Sequence, residues 1–129
     1  MVLADSPSSR RTVLVVDDDD AMRESLADIL DQDYTVLLAA DGEEALRQVA
    51  RQPVDVLILD MAMPKCDGLS VLQALGPPPP KVIVLSAFAY YGSEDIQQTG
   101  LGAKVTRALR KPAPPTQLLA AVHDALYQS

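Results

Sequence analysis

Five short apolar runs recur along the chain, and more polar segments separate them. The runs predict β-strands over residues 12–16, 34–39, 54–59, 81–85 and 105–109. Helical periodicity and capping residues predict helices that begin near residues 21, 42, 69, 93 and 116. Regular alternation of strand and helix is typical of an α/β protein whose parallel strands are joined by right-handed crossovers.

The longer predicted helices each carry one apolar face. In the first two, that face consists of Met22, Leu26, Ile29 and Leu30, and of Ala45, Leu46, Val49 and Ala50. In the third and the last, it consists of Leu69, Leu72 and Leu75, and of Leu118, Leu119, Val122 and Leu126. Asp41 opens the second helix, and Thr116 is the predicted N-cap of the last one.

The composition fits a single α/β domain. Of the 129 residues, 48% are hydrophobic but only 4% are aromatic, which favours a core of Val, Leu, Ile and Ala. Residues 1–11 lack periodicity and are predicted to form a disordered N-terminal tail, so the domain is expected over residues 12–127. A chain of this length can bury about two thirds of its unfolded surface without disulfides.

Charge and hydrophobicity argue against several classes of protein. The 11 basic and 18 acidic residues give a net charge of −7 without a basic stripe, so direct nucleic-acid binding is not expected. The apolar runs are shorter than the roughly 20 residues that span a bilayer. The N-terminus lacks the hydrophobic segment of a signal peptide, which predicts a cytoplasmic protein. Cys66 is the only cysteine and cannot pair within the chain.

A run of four aspartates, Asp17 to Asp20, directly follows the first strand. Neighbouring carboxylates repel one another, so a bound cation would explain why they occur together at the end of a strand. Asp is also a favoured N-cap, and Asp20 stands where the first helix is predicted to begin. The run alone is compatible with a metal site and with a helix cap.

Polar residues also follow the other predicted strands. Asp60 ends the third strand, Ser86 ends the fourth, and Lys111 lies just after the fifth. The carboxyl ends of parallel strands meet at one edge of a sheet, where open α/β sheets bind their ligands. The sequence therefore predicts a site at this edge that combines carboxylates with a hydroxyl and an ammonium group.

In this order the motifs resemble the receiver domain of two-component response regulators over nearly all of residues 12–127. The matching pieces are residues 13–18 with Arg23, residues 55–64 with Asp67-Gly68, Ser86-Ala87, and Lys111-Pro112. No single piece is specific to receiver domains, but the order of the pieces and their positions at predicted strand ends make a specific pattern. The resemblance implies a flavodoxin-like, doubly wound sheet of five parallel strands in the order 2-1-3-4-5, with helices on both faces.

The resemblance also implies a role for each site residue. Asp60 is expected to be the phosphoacceptor, and Lys111 to pair first with Asp60 and then with a phosphoryl oxygen. Ser86 is expected to hydrogen-bond the phosphoryl group. The expected Mg²⁺ ligands are Asp17, Asp18, Asp60 and the backbone carbonyl of Ala62. Asp19 and Asp20 are then left as a solvated acid and a helix cap, respectively.

The switch region that the resemblance implies consists of Ser86, Ala87, Phe88, Ala108 and Pro112. Many receivers carry an aromatic residue three positions before the lysine, where this chain has Ala108. Residues 100–107 also form a longer stretch than usual, so the fifth strand departs most from the family pattern. Ala62 and Phe88 have no polar group that could orient an attacking water, which predicts slow self-dephosphorylation.

The implied function is phosphoryl transfer to Asp60 from a sensor histidine kinase or a histidine phosphotransfer protein. Phosphorylation would then change binding to a downstream effector or to a second copy of the chain, without enzymatic action on other molecules. One alternative is a pseudo-receiver that only binds a partner. Another is a haloacid-dehalogenase-type phosphatase, which normally has a second aspartate two residues after its nucleophile, at the position of Ala62.

Overall fold

The computed structural model describes residues 10–60, 68–76, 80–86, 105–110 and 113–127. The strands are β1 (Thr12–Val16), β2 (Thr35–Ala39), β3 (Val56–Asp60), β4 (Lys81–Ser86) and β5 (Arg107–Arg110). The helices in the described residues are α1 (Asp20–Leu30), α2 (Gly42–Arg51), α3 (Gly68–Ala74) and α4 (Pro115–Tyr127). The helix predicted over residues 93–99 lies outside the described residues.

All five strands pair in parallel, and their order across the sheet is β2-β1-β3-β4-β5. Val16 of β1 pairs with Leu59 of β3, and Asp60 pairs with Leu85 of β4. The carboxyl ends of the three inner strands are therefore level with one another along one edge of the sheet. The predicted α/β class, parallel pairing and strand order are confirmed.

Hydrophobic clusters cover both faces of the sheet. Leu14 and Val16 of β1 belong to one cluster, whereas Val13 and Val15 belong to the other. This alternation follows from the two-residue period of a strand, which sends successive side chains to opposite faces. Between their first and last residues the inner strands β1, β3 and β4 are entirely apolar, because neither face of the sheet contacts water there.

The helices divide between the two faces. Ala45 of α2 and Leu72 of α3 pack in the same cluster as Leu14. Leu30 of α1 and Val122 of α4 pack in the cluster of Val13. The sheet is therefore covered on both sides, as in the doubly wound architecture that was predicted.

Two predicted details of the helices are wrong. The last helix begins at Pro115, so Thr116 lies within its first turn and is not its N-cap. Proline suits the first helical position, where its missing N–H has no partner to lose. In α2, Ala45 is fully buried but Ala50 is exposed. Five helical residues rotate Ala50 by about 140° from Ala45, which places it beyond the buried arc.

The fifth strand begins two residues later than the sequence predicts. Pairing starts between Arg107 and Ile83, whereas Val105 was the predicted first residue. The side chain of Thr106 explains the delay, because its Oγ1 accepts a 3.3 Å hydrogen bond from the N–H of Val82. The hydroxyl thus contacts a backbone group that regular pairing would direct to a carbonyl. Val105 still packs against the first hydrophobic cluster.

Arg10 and Arg11, the last two residues of the predicted tail, both contact the domain. The Arg10 guanidinium donates to the carbonyl oxygens of Asp31, at 2.6 Å, and Tyr34, at 2.7 Å, where α1 ends. Arg11 forms a 3.6 Å ion pair with Asp55. Disorder of residues 1–9 stays a prediction, because they lie outside the described residues. Within the described part of the chain, no helix is long and apolar enough to cross a membrane.

Candidate functional site

Three aspartates converge at the carboxyl edge of the sheet. One carboxylate oxygen from each of Asp17, Asp18 and Asp60 lies within 4.8 Å of the other two. The neighbouring strands β1 and β3 bring them together, since Val16 and Leu59 are paired and Asp17 and Asp60 come next. Asp17 and Asp60 are buried, at 2% and 4% exposure, whereas Asp18 is exposed. The cluster therefore combines two buried carboxylates with one that is exposed to solvent.

Backbone hydrogen bonds hold Asp17 in place at the end of β1. Its N–H donates to the carbonyl of Ala39 on β2 at 3.2 Å, which continues the ladder by one residue. Its carboxylate Oδ1 accepts a 2.9 Å hydrogen bond from the N–H of Asp19. The second bond closes a tight turn and restricts the rotation of the carboxylate.

The last two residues of the aspartate run have other roles. Asp19 is the N-cap of α1, and its Oδ1 accepts hydrogen bonds from the N–H groups of Ala21, at 2.9 Å, and Met22, at 3.4 Å. Asp20, the first helical residue, forms an ion pair with Arg23. The sequence had assigned the cap to Asp20, so that assignment is wrong by one residue. Asp19 takes the cap because it has extended backbone dihedrals while Asp20 is already helical.

The three clustered carboxylates fit a hard divalent cation. Mg²⁺ binds oxygen ligands at about 2.1 Å in an octahedron, which separates ligand oxygens by about 3.0 Å when adjacent and about 4.2 Å when opposite. Small side-chain rotations would bring oxygens that already lie within 4.8 Å to these separations. The buried pair also gains from a cation, because two enclosed carboxylates repel and have lost hydration. The three carboxylates therefore form a donor set that could bind a hard divalent metal ion.

A family model described as the response regulator receiver domain matches residues 13–123. The chain belongs to this receiver family. Solved structures agree, including chemotaxis protein CheY4 of Vibrio cholerae, with a TM-score of 0.77 and 30% identity over 91% of this chain and 99% of that one. A CheY-like receiver domain protein from Methanospirillum hungatei gives a TM-score of 0.81 and 26% identity, over 93% and 96% of the two chains. The fold and the family are those that the motifs predicted.

Curated relatives of this receiver include longer regulators. Response regulator MprA of Mycobacterium leprae is 42% identical over an alignment of 118 positions, which covers 88% of this chain and 50% of MprA. The hydrogenase transcriptional regulatory protein HoxA of Cupriavidus necator is 32% identical over 115 residues, or 89% of this chain and 24% of HoxA. The chain thus spans half of MprA or about a quarter of HoxA. What these comparisons support is a receiver domain in phosphorylation-dependent signalling.

Other predicted site residues of the receiver are described only in part. Ser86 ends β4 and pairs with Arg110, the last residue of β5. Ala108 pairs with Val84 and is exposed. The predicted residues outside the described ranges are Ala62, Ala87, Phe88, Lys111 and Pro112. Their roles stay predictions.

Arg23 contacts the site in a way that sequence reasoning did not anticipate. Its Nη1 donates a 2.7 Å hydrogen bond to the carbonyl oxygen of Asp17. Its Nη2 pairs with Oδ1 of Asp20, one helical turn earlier. The sequence included Arg23 in the family motif but assigned it no role. The spacing of three residues between Asp20 and Arg23 could have predicted their ion pair, because residues so spaced are neighbours on a helix surface.

Proposed function

We propose that this receiver accepts a phosphoryl group on Asp60 in a Mg²⁺-dependent reaction and thereby switches its binding to a partner. The observation that supports the proposal is the convergence of Asp60 with Asp17 and Asp18 within 4.8 Å. Asp60 is nearly enclosed while Asp18 borders solvent, so among the described residues the side of Asp18 is where a donor would approach. The expected donor is a phosphohistidine of a sensor histidine kinase or of a histidine phosphotransfer protein.

The proposed chemical step is a displacement at phosphorus by the Asp60 carboxylate. A carboxylate oxygen forms the new O–P bond as the P–N bond of the phosphohistidine breaks, and the electron pair of that bond stays on the imidazole. Bound Mg²⁺ would neutralise charge between the carboxylate and the anionic phosphoryl group. Asp17 and Asp18 would hold the cation beside Asp60, together with the carbonyl of Ala62.

Two further side chains are proposed to bind the phosphoryl group. Ser86 ends β4 one position beyond the residue that pairs with Asp60, so its hydroxyl is assigned to a phosphoryl oxygen. Lys111 comes directly after β5, which ends beside Ser86. Its ammonium is assigned first to Asp60 and then to the phosphorylated product, since a flexible stem can follow the moving charge.

The output of the proposed reaction is a change in binding to a downstream effector or to a second copy of the chain. The residues assigned to the switch are Ser86, Ala87, Phe88, Ala108 and Pro112. Because Ala108 has only a methyl group, this receiver would not use an inward-swinging aromatic at that position. We further propose that it acts in the cytoplasm, without binding nucleic acid directly and without enzymatic action on other molecules.

Phosphorylation is favoured over the two alternatives by the residues that the chain retains. A pseudo-receiver has no need for three converging carboxylates, yet Asp17, Asp18 and Asp60 meet at one edge. A haloacid-dehalogenase-type phosphatase normally requires a second acid two residues after the nucleophile, and Ala62 occupies that position. The family match over residues 13–123 also favours the receiver.

The decisive experiment incubates the protein with Mg²⁺ and acetyl phosphate and then determines its intact mass. We expect one phosphoryl adduct, lost in Asp60→Asn and lost when EDTA removes the cation. Asp28→Asn is the matched control, because Asp28 is an exposed acid on α1 outside the aspartate cluster, and it should keep the adduct. An unmodified wild-type protein under all these conditions would support the pseudo-receiver instead.

A further inference from the structure

We infer that Arg23 is a positioning residue for the proposed metal site, an inference that rests on the proposed function. Its side chain is largely enclosed, with 15% of it exposed. Nη1 donates to the carbonyl oxygen of Asp17 at 2.7 Å, while Nη2 pairs with Asp20. Arg23 therefore contacts the backbone that carries the proposed ligands rather than the ligands' carboxylates.

The contacted carbonyl belongs to the peptide group that joins Asp17 to Asp18. A peptide group is planar, so fixing the direction of its C=O fixes the plane from which both neighbouring Cα atoms extend. The N–H of Asp17 is held separately by Ala39, at 3.2 Å. Arg23 supplies the restraint on the other side of that residue. Both proposed ligand side chains depend on this one peptide orientation.

The first turn of α1 positions Arg23 next to that peptide group. The N–H of Arg23 donates to the carbonyl of Asp19 at 3.1 Å, which places Arg23 in the first turn after the cap. Asp20 lies three residues earlier on the same surface and pairs with the second guanidinium nitrogen. A guanidinium can serve both partners because its N–H groups form a rigid planar fork. A lysine ammonium can contact either partner but lacks that fixed geometry.

Positioning and charge make opposite predictions for Mg²⁺ binding. A cationic side chain near three carboxylates repels a second cation, so removing its charge alone should tighten Mg²⁺ binding. Removing a restraint on the ligands should weaken it, because the site must then be ordered when the cation binds. The direction of the change in Kd therefore separates the two roles.

The test titrates unphosphorylated protein with Mg²⁺ in a calorimeter. We expect Arg23→Met to raise the Kd for Mg²⁺ about tenfold, the lower end of the range for residues that orient metal ligands. Arg23→Lys should give an intermediate Kd, because its ammonium can still donate to the carbonyl of Asp17 or to Asp20 but cannot hold both in the fixed geometry of the guanidinium. Arg47→Met is the matched control, since Arg47 is an exposed arginine on α2. The Kd of Arg47→Met for Mg²⁺ should equal that of the wild type.

A second readout separates positioning from a general effect on folding. Near-saturating Mg²⁺ should return the rate of adduct formation of Arg23→Met with acetyl phosphate close to the wild-type rate, whereas Asp60→Asn should form no adduct at any Mg²⁺ concentration. If Arg23→Met does not fold, the Mg²⁺ titration of Arg23→Lys replaces it. A Kd of Arg23→Lys for Mg²⁺ that is equal to or below the wild-type value then overturns the inference.

Failure of the inference can be told from failure of the proposed function. If wild-type protein binds Mg²⁺ and is phosphorylated, but Arg23→Met binds Mg²⁺ at least as tightly, only the positioning role is wrong. If wild-type protein neither binds Mg²⁺ nor forms the adduct, the proposed function is wrong and the role of Arg23 falls with it. If Arg23→Met binds Mg²⁺ more weakly than wild type while Arg47→Met binds it with the wild-type Kd, both the proposed metal site and the positioning role of Arg23 are supported.

Discussion

Asp17 and Asp19 are joined by a 2.9 Å hydrogen bond from the Asp19 N–H to the Asp17 carboxylate. One turn therefore ends β1 and begins α1, and it gives neighbouring acids different environments. Asp17 lies in the cluster of three carboxylates, whereas the Asp19 side chain accepts hydrogen bonds from the first turn of the helix. The four consecutive aspartates therefore do not form one four-carboxylate site, because Asp19 caps the helix instead.

Substitution of Asp18 and Asp19 by alanine should separate metal binding from stability. Asp18→Ala removes a proposed ligand, so we expect Mg²⁺ binding to weaken at least about tenfold, by analogy with losses seen on perturbing metal sites. Asp19→Ala removes the N-cap and should lower the free energy of unfolding by about 0.5–2 kcal/mol. Calorimetric titration with Mg²⁺ and urea unfolding in EDTA measure the two quantities.

In EDTA, Asp18→Ala should unfold at the wild-type urea concentration or above it, because one of several mutually repelling carboxylates is gone. Asp19→Ala should retain most of its Mg²⁺ affinity. The assignment fails if the two variants change places, with Asp19→Ala losing the cation and Asp18→Ala losing stability.

The fold was largely predictable because its signals are local and repeated. Apolar runs such as 13–16 and 56–59 predict strands buried on both faces, and the alternation with helices leaves few topologies. The start of β5 was predicted incorrectly because the Thr106 hydroxyl accepts the N–H of Val82 on a neighbouring strand. Such a tertiary contact has no signature in the spacing of residues along the chain.

The candidate site was predictable where a residue's place follows from a strand end. Asp17 and Asp60 each come directly after an apolar run, and parallel pairing brings them together. The cap of α1 depends on the dihedral angles of Asp19, and either Asp19 or Asp20 suits an N-cap by residue type. The contact of Arg23 with Asp17 was also hidden, since it joins a side chain to a backbone carbonyl. Patterns of residue types do not reveal the orientation of a peptide group.

Alkaline pH should destabilise the domain through Tyr34. Burial raises the pKa of the Tyr34 hydroxyl above its ordinary value of 10.0, and the nearby Tyr127 and Asp33 raise it further. A raised folded-state pKa means that the contribution to stability is complete below the unfolded pKa and is lost as pH rises through the folded one. We therefore expect the free energy of unfolding to fall as pH rises above about 10.

The measurement is urea unfolding of wild type and Tyr34→Phe between neutral pH and the alkaline range. Tyr34→Phe should lose less stability over the alkaline interval, because phenylalanine has no proton to release. Tyr127 is 55% exposed, and it raises the pKa of Tyr34 less than burial does. Tyr127→Phe should therefore reduce the alkaline loss of stability by a smaller amount than Tyr34→Phe does. Parallel curves for wild type and Tyr34→Phe would contradict the assignment.

The ion pair between Arg107 and Asp124 should couple β5 to α4 weakly. The two side chains are 3.1 Å apart and are 48% and 29% exposed, so water and salt screen their attraction. A double-mutant cycle with Arg107→Met and Asp124→Asn should give a coupling energy of about 0.2–1 kcal/mol in urea unfolding. This energy should shrink toward zero in molar salt, and a salt-independent coupling would instead indicate packing between the side chains.

Core and site should respond independently to substitution in β1. Leu14 is fully buried two residues before the end of β1, while Leu38 on β2 is 36% exposed. Leu14→Ala should lower the free energy of unfolding by about 2–5 kcal/mol, because it removes apolar contacts and leaves a cavity. Leu38→Ala, the same chemical change at a partly exposed position, should cost distinctly less.

The metal response of Leu14→Ala then tests whether β1 delivers Asp17 as a rigid strand. A cation that binds only the folded state stabilises it by an amount set by its concentration relative to Kd, or about 2.7 kcal/mol at a hundred times Kd. Asp17 is held by Ala39 and Asp19 rather than by Leu14. The increment that Mg²⁺ adds in urea unfolding should therefore be equal in Leu14→Ala and wild type. A much smaller increment in Leu14→Ala would mean that core packing under the strand, and not the turn after it, sets the ligand geometry.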